Sequence, residues 1–589
     1  MSVTTSEPAP AARPKRTGGG LSVLQITAFV LCVLTLLPLF ALVVSAFGTS
    51  TGAFAQTAAV ILPRALSTTV WLAVLVAIGV TVVGVATAWL VTMCEFPLRR
   101  TLSWALVLPL AMPGYVGAYA YAYLLQHPGP VQTLLREVTG WGPHDYWFPQ
   151  IRSLGGAAFV LAAVLFPYVY LITRAAFLQQ SATAFEASRT LGRGPWRAFF
   201  EVAMPLARPA IVAGLTLAVM ETLADYGTVA HFGLPTFTVQ IYSAWFSMGD
   251  RVAAVQLALV LVSFVLLAMA LERIGRRGQR FHDARAGRPM ALMRLTGWRA
   301  AAATTACALP VLLGFVAPAG TLVALAIGLN VEFWEPRTRT LIANTLMLGA
   351  IGATVTVSVA LVIAYARRLT KSHVVQAATR LASFGYAVPG AVIAVGLLIP
   401  FGLADRWLDG VMRSAFGIST GLLLTGTLAA VVFAYVVRFL AISLNGVEAG
   451  LHRIPPSLDA ASRTLGAGPL RTLVAVHIPL LSGGLLTALL ITFVDIMKEL
   501  PATLILRPFN FDTLAIRAYR LASDERLAMA SVPSLLIVLV GLVPVILLSR
   551  QIARAHMRTS PRASPRDRTD EDGEDPGTAA MVPRNAVEP

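Results

Sequence analysis

Ala187 to Arg197 reads ASRTLGRGPWR, and Ala461 to Arg471 reads ASRTLGAGPLR. Nine of the eleven positions are identical, and the second copy follows the first by 274 residues. Each phrase is followed at the same distance by a proline, Pro205 and Pro479, that opens a long apolar run. A polar phrase set between hydrophobic runs and duplicated in register implies two copies of one membrane unit. Each copy presents the same cytoplasmic contact surface. That arrangement predicts a transporter driven by a partner and argues against a self-contained enzyme.

The bulk composition agrees. The 589-residue chain is 56% hydrophobic and 13% charged, with a mean hydropathy of +0.72. A water-soluble fold could not cover that much apolar surface, so lipid is the expected solvent. Cys32, Cys94 and Cys307 lie in or beside apolar runs, which implies no disulfide framework. The formal charge of +17 does not call for nucleic acid, because the arginines cluster in short loops, as the positive-inside rule requires of cytoplasmic loops.

Apolar windows long enough to cross the hydrocarbon fall near 21–47, 66–93, 102–125, 155–178, 205–227, 252–272, 300–326, 340–365, 381–401, 420–444, 479–504 and 530–550. These are referred to below as spans one to twelve. The first exceeds a signal-peptide core and reads as a retained span. The loop between spans six and seven carries Arg273, Arg276, Arg277, Arg280, Arg285, Arg288, Arg294 and Arg299. Arg99 and Arg100 follow span two, Arg367, Arg368 and Lys371 follow span eight, and Arg550 and Arg554 follow span twelve. All lie on one face, so that face and both termini read as cytoplasmic.

The duplication extends further. Thr69 recurs as Thr345 and Pro113-Gly114 as Pro389-Gly390, at an offset of 276. The expected fold is all-α: a polytopic membrane protein of twelve transmembrane helices in two parallel six-helix repeats, with the pore along the pseudo-two-fold axis between them. The organisation this predicts is a disordered cytoplasmic tail at 1–20, a first repeat at 21–272, an Arg-rich linker at 273–299, a second repeat at 300–550 and a disordered tail at 551–589.

Spans five and eleven each hold two acids four residues apart. Glu221 matches Asp495 and Asp225 matches Glu499, at the 274 offset. Acids at i and i+4 share a helix face, and charge inside a span usually faces a pore or a partner. Pro205 to Glu221 is 16 residues, or about 24 Å of helix, so the acids lie toward the outer end. Gly227 and Pro501 mark where each helix should break. Four converging carboxylates suit a hard, oxygen-seeking cation, with Glu221, Asp225, Asp495 and Glu499 as its ligands and Tyr226 and His231 adding to one side. The same acids would alternatively pair with Lys498 or loop arginines and hold helix ends. Tyr115, Tyr119, Tyr121 and Tyr123 form a stripe in span three that reads as packing or interface anchoring.

Glu186-Ala187-Ser188, then Gly192 and Pro205, resembles the EAA signature of binding-protein-dependent ABC importer permeases. The resemblance implies a type I importer-like fold whose short coupling helices dock on an ATPase dimer. It assigns that contact to Glu186, Ala187, Arg189, Gly192 and Pro205, and to Asp459, Ala460, Ala461, Arg463, Gly466 and Pro479. The second copy departs from the pattern, since Ala460 stands where Glu186 stands and the acid is Asp459. No G-x-x-x-x-G-K-[ST] occurs, so ATP and Mg are expected on the partner and no cofactor on this chain. METLADYGTVAHFGLPTFTVQIY (Met220–Tyr242) and VDIMKELPATLILRPFNFDTLAIRAY (Val494–Tyr519) are similar to the fused permeases of ferric-iron importers. That similarity implies a periplasmic binding protein that delivers Fe3+, and a bacterial inner membrane. Thiamine permeases share the fused layout and phosphonate permeases are near relatives. A stand-alone secondary carrier would instead favour inverted repeats.

Overall fold

The computed structural model describes residues 23–47, 53–179, 194–275, 292–328, 336–370 and 372–559. The tail at 1–20, most of the linker, most of the tail at 551–589, and Glu186, Ala187, Arg189 and Gly192 of the first duplicated phrase lie outside the described residues. Residues up to Val545 form one compact unit; Ile546–Pro589 form a second, described only as the end of the helix Leu527–Thr559.

Eleven helices among the described residues are long and apolar enough to cross a membrane, or twelve when one bent pair is counted as a span. Spans one, two and four to eight run Val23–Ala46, Ala59–Met93, Leu154–Leu178, Phe199–Ala224, Arg251–Ile274, Trp298–Gly328 and Pro336–Leu369. Spans nine to twelve run Gly390–Phe416, Leu428–His452, Pro469–Lys498 and Leu527–Ile546. Span three is the bent pair, Arg99–Ala111 and Gly114–Thr139, meeting at 94° at Pro113-Gly114, where the proline-glycine pair marks a bend. The cause is Pro113. It supplies no amide and forces Met112 into an extended conformation (ψ 113°). Val388 before Pro389 is extended in the same way (ψ 126°), so span nine starts at Gly390 rather than 381. Span ten is shifted to Leu428–His452 from the expected 420–444.

The two repeats exchange their first helices. Ala28 and Cys32 of span one are buried with Val357, Ala360 and Leu440 of the second repeat. Ala303 and Cys307 of span seven, 275 residues later, are buried with Trp89, Leu102 and Phe166 of the first. The approach is close. A Cβ on Gly396 of span nine would lie 2.5 Å from the Pro38 carbonyl oxygen of span one. In lipid, small residues that let backbones approach are a main source of helix association.

The duplicated threonines make matching bonds. Thr69 Oγ1 accepts from the Phe237 amide at 3.2 Å, and Thr345 Oγ1 from the Leu514 amide at 2.9 Å. The end of the Arg-rich linker is folded: Met293-Arg294 pair in parallel with Cys94-Glu95, tying the chain before span seven to the end of span two.

Candidate substrate cavity and coupling surface

Span five ends at Ala224 and span eleven at Lys498. In each, the next residue is extended (Asp225 ψ 134°, Glu499 ψ 125°) and a short helix follows, Gly227–His231 or Pro501–Leu506. The second acid of each pair starts that helix. Asp225 accepts from the amides of Thr228 (3.1 Å) and Val229 (3.2 Å) and from Thr228 Oγ1 (2.9 Å). Glu499 accepts from the amides of Ala502 (2.8 Å) and Thr503 (2.9 Å) and from the Thr503 hydroxyl. Carboxylates in this position satisfy amides that have no partner inside the helix. The expected shared face of i and i+4 acids is therefore broken between its two members, because the helix stops before the second one. Pro113-Gly114 and Pro389-Gly390 make room for these caps: a Cβ on Gly390 would lie 2.6 Å from Glu499 Oε1.

The first acid of each pair remains on its long helix. Glu221 and Asp495 line one cavity of about 150 Å3, with walls from both repeats. Tyr386 of the second repeat donates to Glu221 Oε1 at 2.8 Å. Lys498 Nζ lies 3.5 Å from Asp495 Oδ1 and donates to the Leu110 carbonyl of the first repeat at 3.3 Å. Asp225, Glu499 and Tyr226 also reach the cavity wall, whereas His231 does not. Tyr226 instead bonds Tyr519 across the repeats at 3.1 Å.

Arg438 is the lining residue that the sequence reading passed over. It sits in the middle of span ten, 8% exposed, and its Nε and Nη1 make no hydrogen bond among the described residues. The signal was present as a lone arginine in the apolar run VVRFLAISL, since a charge at that depth marks a cavity or partner.

At the opposite end of span eleven, the second duplicated phrase forms two short helices, Pro456–Thr464 and Pro469–Thr472, joined through Gly466 at φ 76°. That left-handed backbone favours glycine. Asp459 points inward. Its Oδ2 lies 2.8 and 2.7 Å from Arg368 Nε and Nη2, and its Oδ1 lies 2.7 Å from His477 Nε2. Burial pushes its carboxyl pKa up, but Arg368 and His477 outweigh burial and hold it below the usual carboxylate range. Tyr365 donates to the Pro469 carbonyl at 2.9 Å, and Ser462 and Thr472 pair at 2.7 Å. The phrase is thus clamped to the ends of spans eight and eleven, while Ala460, Ala461, Arg463, Leu465 and Leu470 face outward. Pro479 follows the π-helical turn Leu473–His477 in span eleven, and Pro205 follows the matching turn Phe199–Ala203 in span five.

Paired six-helix repeats, a cavity walled by both, and a rigid phrase projecting from the end of a cavity-lining helix define a multi-pass membrane permease. The chain belongs to the family of binding-protein-dependent transport system inner membrane components, whose family model matches residues 95–280 and 360–556, once in each repeat. It is 25% identical over 490 residues to the Fe(3+)-transport system permease protein FbpB 2 of Haemophilus influenzae, covering 82% of this chain and 89% of that protein. It is 24% identical over 488 residues to the ferric transport system permease protein FbpB of Actinobacillus pleuropneumoniae, covering 78% and 67%. A 204-residue stretch, 33% of this chain, is 30% identical to the molybdenum transport system permease protein ModB of Escherichia coli K12 and covers 86% of it.

Proposed function

We propose that this chain is the translocation subunit of an ABC importer that passes ferric iron from a periplasmic binding protein to the cytoplasm. A separate ATPase dimer, holding ATP and Mg, drives it, and the chain itself catalyses no reaction. Both termini face the cytoplasm in this reading. The observation that carries it is the placement of Glu221 and Asp495, one from each repeat, on a single cavity. Similarity to ferric permeases along most of the chain supports the choice of ion.

The cycle follows from the connections. ATP-driven approach of the ATPase subunits pushes the phrases at 186–197 and 459–471. The Asp459 clamp ties the second phrase to spans eight and eleven, so the push reaches the carboxylates at the far end of span eleven along that helix. The repeats rock, and the cavity changes the side to which it opens. Asp225 and Glu499 hold the helix breaks, which leaves Glu221, bonded by Tyr386, and Asp495, paired with Lys498, as the acids that meet the ion.

Arg438 and Lys498 favour a second reading, in which the cavity takes an oxyanion such as molybdate or a phosphonate. The test is reconstitution of the chain with its ATPase and binding protein in proteoliposomes, and uptake of radiolabelled Fe3+, molybdate, a phosphonate and thiamine. ATP-dependent accumulation of Fe3+ alone supports the ferric reading. Accumulation of one of the others without Fe3+ replaces it and leaves the ABC permease standing.

A further inference from the structure

Three polar atoms at and beside the cavity have no hydrogen-bond partner among the described residues. The hydroxyls of Tyr115 and Tyr119 and Nε2 of His231 are buried without a hydrogen bond among the described residues. The three side chains are 5, 2 and 9% exposed. Tyr115 and Tyr119 stand one turn apart on the helix Gly114–Leu125, with ring centroids 5.7 Å apart, and the Tyr119 ring lies 4.8 Å from that of His231. Tyr115 and Tyr226 both reach the cavity that holds Glu221 and Asp495. The phenols therefore run from His231 to the carboxylates, on the side of the cavity away from the coupling phrase.

Packing alone does not demand them. The matching positions of the second repeat, at the same offsets, are Ala391, Val395, Leu500 and Ile505, all buried and aliphatic. Each buried polar group left unpaired is costly, and here three are gathered on one side of a duplicated frame. Buried hydroxyl and imidazole groups on adjacent rings without partners call for an occupant, and phenolate oxygen is a hard ligand suited to a hard cation.

We propose that Tyr115 and Tyr119, with His231, form a transit site for a trivalent cation that is entered before the Glu221–Asp495 cavity. The proposal rests on the ferric reading above. Binding breaks the phenol O–H bond and forms an Fe–O bond. The proton passes to water, and iron stays ferric throughout.

The test uses the permease–ATPase complex in nanodiscs with a non-hydrolysable ATP analogue, titrated with Fe3+ as its nitrilotriacetate. The expected result is a visible tyrosinate-to-iron charge-transfer band with release of protons. Tyr119→Phe and Tyr115→Phe keep the rings and the size-exclusion profile; each weakens the band, the double variant abolishes it, and Fe3+ uptake falls about tenfold, or about 1.4 kcal/mol. Fe3+ import by the wild type with no such band, or with normal uptake by the double variant, overturns the transit site and leaves the ferric reading intact. Absence of both Fe3+ binding and Fe3+ import in the wild type overturns both.

Discussion

The two repeats share a frame and divide the chemistry. Thr69 and Thr345 hold equivalent amides, Asp225 and Glu499 cap equivalent short helices, and Cys32 and Cys307 mark equivalent exchanged helices. Beyond the matched acids Glu221 and Asp495, and Asp225 and Glu499, the polar groups around the cavity do not repeat. Arg438 and Lys498 come from the second repeat, with Ala224 at the position matching Lys498. The unpaired phenols come from the first. His477, which clamps the second phrase, has Ala203 as its counterpart. Duplication thus preserved what makes the membrane unit stand and move, and left the wall of the path free to differ on its two sides.

The largest expected effect comes from cutting the clamp on the second phrase. Asp459→Ala leaves Arg368 and His477 without their acid in a site where Asp459 and Arg368 are each 15% exposed. Losing one partner of such a pair costs about 3 kcal/mol. ATP-driven uptake should collapse while the protein remains inserted, and Gly466→Asp, which forces a side chain onto the φ 76° backbone, should act the same way. Normal coupled uptake in both variants would break the lever account. The pH response has a definite sign. Because the folded pKa of Asp459 is depressed, its contribution is fully present at neutral pH. It fades only as pH falls below the ordinary carboxylate value of about 4.

Asp225→Ala and Glu499→Ala test the shared frame. Each removes a cap and should lower stability by about 1–2 kcal/mol, by similar amounts in thermal unfolding of the detergent-solubilised protein. A large inequality would show that the two helix breaks are not equivalent in energy. Thr69→Val and Thr345→Val should each cost about 1 kcal/mol, again alike. The smallest effect is expected beside the starts of spans four and twelve, where Arg152 binds Glu525 of the other repeat at 2.7 Å. The hydrogen bond from Arg152 holds the Glu525 carboxyl below its usual range. The pair is largely exposed, so Glu525→Gln should change stability by about 0.5 kcal/mol or less.

Much of the frame was legible in the sequence. Hydrophobic length found the spans, with spans nine and ten displaced toward the C-terminus, and the matched prolines and threonines gave the repeat. Two features were not. The exchange of first helices depends on which repeat offers span one its groove, and that choice is made by contacts such as Pro38 on Gly396 rather than by any periodicity. The i and i+4 spacing of the acids suggested one face, but a carboxylate that can accept from amides ahead of it favours starting a new helix over continuing the old one. Arg438 was legible as a lone arginine in an apolar span, but the four matched acids point to a cation and give no reason to expect a positive charge on the same wall. The first duplicated phrase, 186–193, remains an expectation carried by its likeness to the second.

The most direct test of a path built jointly by both repeats is Fe3+ uptake by Glu221→Gln, Asp495→Asn and the double variant in reconstituted proteoliposomes. The account predicts that each single variant lowers uptake several-fold, that the double variant lowers it further, and that thermal stability is nearly unchanged in all three. Uptake at the wild-type rate in either single variant would contradict it.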